Sequence, residues 1–95
     1  MDHDTQQIRS AARRIGSVAS SVKSISSKDL GDISNSIPPY FKGEAADALQ
    51  SIVLDLIKDM NGLSEGLRSI QDTLNSYAAA LDRADAEAAK AIKET

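Results

Sequence analysis

Apolar residues recur at Ile8, Ala11, Ala12, Ile15, Val18, Val22 and Ile25. The larger ones are separated by seven, three, four and three positions, which places them on a single stripe of a helix. This spacing predicts an amphipathic helix over residues 5–27. Asp4 or Thr5 stands where an N-cap is wanted. The pattern then lapses. Residues 28–42 contain Pro38-Pro39, which disfavour a helix interior and push the preceding Ile37 toward extended backbone. This stretch is predicted as a connector, with Leu30, Ile33 and Ile37 forming at most one turn over the end of the molecule. From Gly43 a stripe returns through Ala45, Leu49, Ile52, Leu56, Met60, Leu63, Leu67, Ile70, Leu74, Tyr77, Leu81, Ala84, Ala88 and Ile92. Its steps of three and four are the period of a coiled-coil seam and predict a long helix over residues 44–92. Asn61-Gly62 is its weak point, since glycine lowers helix propensity and this dipeptide favours turns. The stripe keeps its phase across the pair and no proline follows, so one helix, bent there at most, is expected.

The pattern therefore predicts an all-α, antiparallel helical hairpin formed by a single domain of residues 1–95. The first helix would span roughly 35 Å and the second roughly 70 Å. The stripe from Ile70 to Ile92 would then lack cover within the chain. An uncovered apolar stripe marks an interaction surface, and a chain of this length buries only a thin core. Pairing into a four-helix bundle is expected, through Ile15, Val18, Val22, Leu49, Ile52, Leu56, Leu63, Leu67, Ile70, Leu74 and Tyr77.

Composition removes most other functions. The net charge of −3 and pI near 5.0 argue against a nucleic-acid binder. Residues 1–27 carry four basic and two acidic groups, and residues 28–95 seven basic and twelve acidic, an asymmetry that favours pairing of the two segments. Arg13-Arg14 are too few for a membrane or nucleic-acid patch. There is no Cys, no Trp and a single Phe, so neither a thiolate metal site nor an aromatic-lined pocket for a small-molecule substrate can be built. His3, flanked by Asp2 and Asp4, is the sole histidine, and reads as solvated rather than metal-ligating. Asp55 and Asp59, one helical turn apart, read as a solvated face near Lys58. With no base to activate a serine, no catalytic, metal or cofactor site is expected, and the chain is read as a non-enzyme. No apolar run reaches the length of a membrane span. The start, Met1-Asp2-His3-Asp4, is acidic where a signal peptide would be basic.

Between the two helical segments lies Phe41-Lys42-Gly43-Glu44-Ala45-Ala46. This resembles the turn of the WXG-type, ESAT-6-like family, small bacterial helical hairpins of type VII secretion. That family carries an aromatic-x-Gly between its helices and an Ala-rich start to the second. Phe41 stands where the family usually has Trp, and Gly43 matches its Gly. The family also carries a C-terminal export pattern, hydrophobic-xxx-acidic-xx-hydrophobic-xxx-hydrophobic, which Leu81, Asp85, Ala88 and Ile92 fit. The resemblance implies a protein of the bacterial cytoplasm that is then secreted or displayed without a cleaved signal peptide. Its implied partners are a second copy or a WXG-like heteropartner, together with the secretion ATPase. The alternative is a cytosolic adaptor docking on the helical N-terminal domain of a larger toxin.

Overall fold

A computed structural model describes residues 4–40 and 43–94. They form helix α1 (Thr5–Ser24), a π-helical turn (Ile25–Asp29), helix α2 (Leu30–Tyr40) and helix α3 (Glu44–Glu94). The first three run on without interruption and form one arm of a hairpin, and α3 forms the other. The fold class is that predicted. The connector is not. Residues 28–40 are helical, and the first arm is roughly 54 Å long instead of 35 Å. Its Pro38 and Pro39 fall in the last turn of α2, where a missing N–H ends the helix rather than interrupting it.

Local chemistry accounts for the helix ends. Asp4 caps α1, its Oδ1 accepting from the Gln7 N–H at 3.0 Å. Gly43 has φ +81°, a conformation that costs glycine nothing, and its carbonyl accepts the Asp47 N–H at 3.1 Å to begin α3. Asn61-Gly62 breaks nothing: α3 is continuous for 51 residues, and the molecule is 79 Å long.

The heptad pattern shows how the arms meet. In α3, Ala46, Val53, Met60, Leu67, Leu74 and Leu81 hold position a. Gln50, Ile57, Ser64, Gln71, Ala78 and Asp85 hold position e. All of these are buried or half-buried. On the first arm a falls at Ile8, Ile15 and Val22, and e at Ala12, Ala19 and Ser26, again all buried or half-buried. Beyond Val22 the next a residues are Leu30 and Ile37, one position later than a strict heptad requires. The π turn supplies that extra residue, with the Leu30 N–H bonding to the Ile25 carbonyl five positions back. The inward stripe therefore stays aimed at α3 as far as Ile37, which packs with Ala46, Val53, Leu30 and Ile57 near the turn.

The seam is narrow. Ala12, Ala19 and Ala78 are fully buried, and Ser26 is the largest side chain under 2% exposed among the described residues. Small e residues let the arms approach closely: a Cβ on Gly16 would lie 2.5 Å from Gln71 Nε2. Polar pairs then fix the register. Ser64 Oγ donates to the Ala19 carbonyl (2.8 Å), and Ser26 Oγ to Asn61 Oδ1 (2.6 Å). Gln50 Nε2 donates to Ser34 Oγ (2.6 Å) and Arg68 to Ser20 Oγ (2.8 Å). At the open end Arg9 forms an ion pair with Asp82 at 3.0 Å. That hydrogen bond, and a second from the Thr5 side chain, hold the exposed Asp82 carboxyl below the usual carboxylate range.

Candidate functional site

The a/e seam uses only one flank of each apolar stripe. The other flank, position d, holds Ala11, Val18, Ile25 and Ile33 on the first arm, and Leu49, Leu56, Leu63, Ile70 and Tyr77 on α3. Every one of these is exposed. Leu63 is 51% exposed, Ile70 48% and Tyr77 56%, values far from those of a helix face packed in a core.

Both d ridges lie on the same side of the hairpin. On a helix viewed end-on, e and d flank a in opposite directions. Reversing the chain direction reverses that sense. When two antiparallel helices face each other through a and e, both d rows therefore emerge on one common side. The result is a single apolar face along most of the hairpin, with the half-buried a residues as its floor. Ile52, 57% exposed at position g, widens it near the turn.

The residues predicted for pairing accordingly divide. Val22 is buried and Ile15, Leu67 and Leu74 are half-buried along the seam, whereas Val18, Leu49, Ile52, Leu56, Leu63, Ile70 and Tyr77 remain exposed. Ala11, Ile25 and Ile33 belong to the exposed face but are not among the predicted pairing residues. For Ile33 the missing signal was the one-residue slip at the π turn: its spacing of eight from Ile25 falls outside a strict heptad. The expectation that α3 would be bare from Ile70 onward is also corrected. The longer first arm reaches Asp82, and the portion of α3 beyond it is residues 86–94.

Of the turn residues, Gly43 adopts the left-handed conformation, and Phe41 lies outside the described residues, as does His3. Of the export-pattern residues, Leu81 and Asp85 are half-buried on the a/e side, and Ala88 and Ile92 continue that same side past the end of the first arm, where Ile92 is 76% exposed. The groove occupied by the first arm along most of α3 is thus open over the last two turns.

The clefts along the hairpin, such as that lined by Arg13, Gly16, Ser17, Ser20, Arg68 and Gln71, are open surface grooves. Among the described residues no group of three or more His, Cys, Asp or Glu could hold a metal ion, and no helix is long and apolar enough to cross a membrane.

The family model WXG100, described as proteins of 100 residues with WXG, matches residues 1–86. No curated protein and no solved structure matches the chain significantly.

Proposed function

Since this chain belongs to the WXG100 family of small helical proteins of type VII secretion, we propose that it is a type VII substrate or co-secreted partner that works by helix–helix binding. The exposed d face shared by both arms carries this reading. WXG100 proteins typically form dimers with WXG-like partners, and a second hairpin laid on this face completes a four-helix bundle. Burial of a Leu or Ile side chain contributes about 1.5–3 kcal/mol, so a ridge of five large residues on α3 supplies ample driving force.

In the secretion step the bundle presents the open end of α3. Leu81, Asp85, Ala88 and Ile92 step by four, three and four along one side of α3, which the first arm covers as far as Asp82 and leaves open over residues 86–94. A helical element of the secretion ATPase, or another machine component, would extend the a/e packing there, with Asp85 orienting the contact.

The test is export from a bacterium carrying a working type VII system, read by immunoblot of culture filtrate and cell pellet. Asp85→Ala is expected to leave helicity and dimer mass unchanged and to abolish the filtrate signal. Export of this variant at the wild-type level would remove Asp85 from the recognition step. Retention of the wild-type chain in the cell pellet would overturn the exported role.

A further inference from the structure

We propose that Asn61-Gly62 is a modification site gated by the fold. In the closed hairpin Asn61 stays asparagine. When the hairpin opens, its side-chain nitrogen is lost as ammonia and the residue becomes aspartate or isoaspartate. The chemistry belongs to the dipeptide itself. The Gly62 backbone nitrogen attacks Asn61 Cγ, its proton leaves with the departing amide nitrogen as ammonia, and a cyclic succinimide forms. Water then opens the ring. Cleavage of the new N–Cγ bond gives aspartate on an unaltered backbone. Cleavage of the original peptide N–C bond gives isoaspartate, with the main chain rerouted through Cβ. The balance is one water in and one ammonia out. Asparagine is a thermolabile residue, and a following glycine has no side chain to shield its nitrogen. Asn35 and Asn75 are each followed by serine instead.

Two restraints hold the pair unreactive in the folded chain. The first is the backbone. Helix α3 is continuous through residues 61 and 62, so the Gly62 N–H belongs to the helical ladder and is directed at the carbonyl four residues back, that of Lys58. Its nitrogen cannot swing toward Asn61 Cγ unless the ladder opens. The second is the side chain. Asn61 Oδ1 accepts from Ser26 Oγ at 2.6 Å and from Lys23 Nζ at 3.1 Å, which ties the carboxamide to the opposite arm. Water already has access: Asn61 is half-buried, Gly62 is exposed, and both line an open groove with Lys58 and Glu65. Packing of the hairpin gives no reason for Gly62. A Cβ there would meet nothing within 4 Å among the described residues, although glycine disfavours a helix interior. The residue that packing does not require is the one that makes Asn61 labile.

The fold also distinguishes the two products. Aspartate at position 61 keeps the backbone and sets an oxygen where Oδ1 stands, so Ser26 and Lys23 donate to a carboxylate, a stronger acceptor. Isoaspartate inserts a carbon into the main chain in the middle of a 51-residue helix and shortens the side group by the same carbon. Its carboxylate falls short of Ser26. The ladder is interrupted between Ile57 and Ser64, so the seam residues on the two sides no longer face the first arm together. An opened chain that forms isoaspartate is barred from closing again, and one that forms aspartate is not.

The experiment incubates the full chain at mildly alkaline pH, with and without guanidinium chloride, and follows Asn61, Asn35 and Asn75 by peptide mapping with mass spectrometry. In the denatured chain Asn61 is expected to convert well ahead of the other two; a rate no greater than theirs overturns the site. In the native chain Asn61 should convert more slowly by about tenfold or more, because the reaction waits on local opening. Equal rates in the two conditions overturn the gate. Gly62→Ala should bring the denatured-state rate of Asn61 down toward that of Asn35 and Asn75 while helicity is kept; an unchanged rate overturns the role of Gly62. The aged, denatured chain is then returned to native buffer and its folded fraction isolated by size exclusion. That fraction should be depleted of isoaspartate, whereas the same proportion as in the aged chain overturns the selection between products. Asn61→Asp, which supplies one product outright, should melt no lower than the wild type by circular dichroism; a lower midpoint overturns the accommodation of aspartate in the seam.

Discussion

Between the large a residues of the seam, polar side chains form hydrogen bonds that cross from arm to arm. Asn61 is the clearest case. Its Oδ1 accepts from Ser26 Oγ at 2.6 Å and from Lys23 Nζ at 3.1 Å, in a layer where Ser26 is 1% exposed. Asn61→Ala strips an acceptor from a buried hydroxyl, so it is expected to cost about 1 kcal/mol. The Lys23 carbonyl, 3.0 Å from Ser26 Oγ, remains as an alternative acceptor and keeps the loss at that modest level. Chemical denaturation of the single variants and of Asn61→Ala with Ser26→Ala checks this: the double variant should be less destabilised than the sum of the two singles. Simple addition would mean that the two side chains do not act together. In the sequence, Asn61-Gly62 reads as a possible helix break, because propensity scales score each residue alone. That Asn61 faces the partner arm depends on register, which no local propensity contains. The a and d residues were legible as one stripe for the opposite reason: size and period suffice to find them, although not to say which flank the hairpin covers.

At the scale of elements, the first arm is where sequence and structure part. The period of its apolar residues is intact as far as Ile25, slips by one, and resumes at Leu30, Ile33 and Ile37. A slip of one residue ending in Pro-Pro looks like a loop. The structure absorbs it in the π turn, whose wider spiral rotates the chain by the surplus residue and returns the stripe to α3. Extending the helix to Tyr40 buries Ile37 and Ser34, which a loop would leave to water. This account makes deletion informative. Ser27 is exposed, and its Oγ donates only to the Lys23 carbonyl of its own arm at 2.9 Å. Removing it should convert residues 25–29 to regular α-helix with a and e in phase on both sides, leaving stability unchanged or slightly raised. Inserting an alanine after Ser20 should instead swing Ile15, Ala12 and Ile8 away from α3 and lower the melting temperature markedly. Equal losses from deletion and insertion, measured by thermal melts followed by circular dichroism, would mean that the π turn does not compensate the slip.

For the molecule as a whole, two long arms touch along one seam of large a residues and mostly small or polar e residues, most of the large ones only half-buried, while the large d residues face outward. Folding the hairpin alone thus removes modest apolar area for the chain entropy it costs. The d face is the surface on which further apolar area can be buried, so the pairing proposed above would link folding to pairing, with the paired state populated by mass action. The melting midpoint of the chain should rise with protein concentration, by an amount set by the same dissociation constant that light scattering reports. Truncation after Glu87 should leave that dependence almost as it was, since residues 88–94 extend past the first arm and add only alanines and Ile92 to the uncovered stretch; a cost below about 0.5 kcal/mol, the scale of surface changes, is expected. Loss of the dimer on truncation would assign those last two turns to pairing rather than to recognition. A midpoint independent of concentration would show that the narrow seam suffices by itself, and the exposed d face would then need a reason other than stability for its leucines.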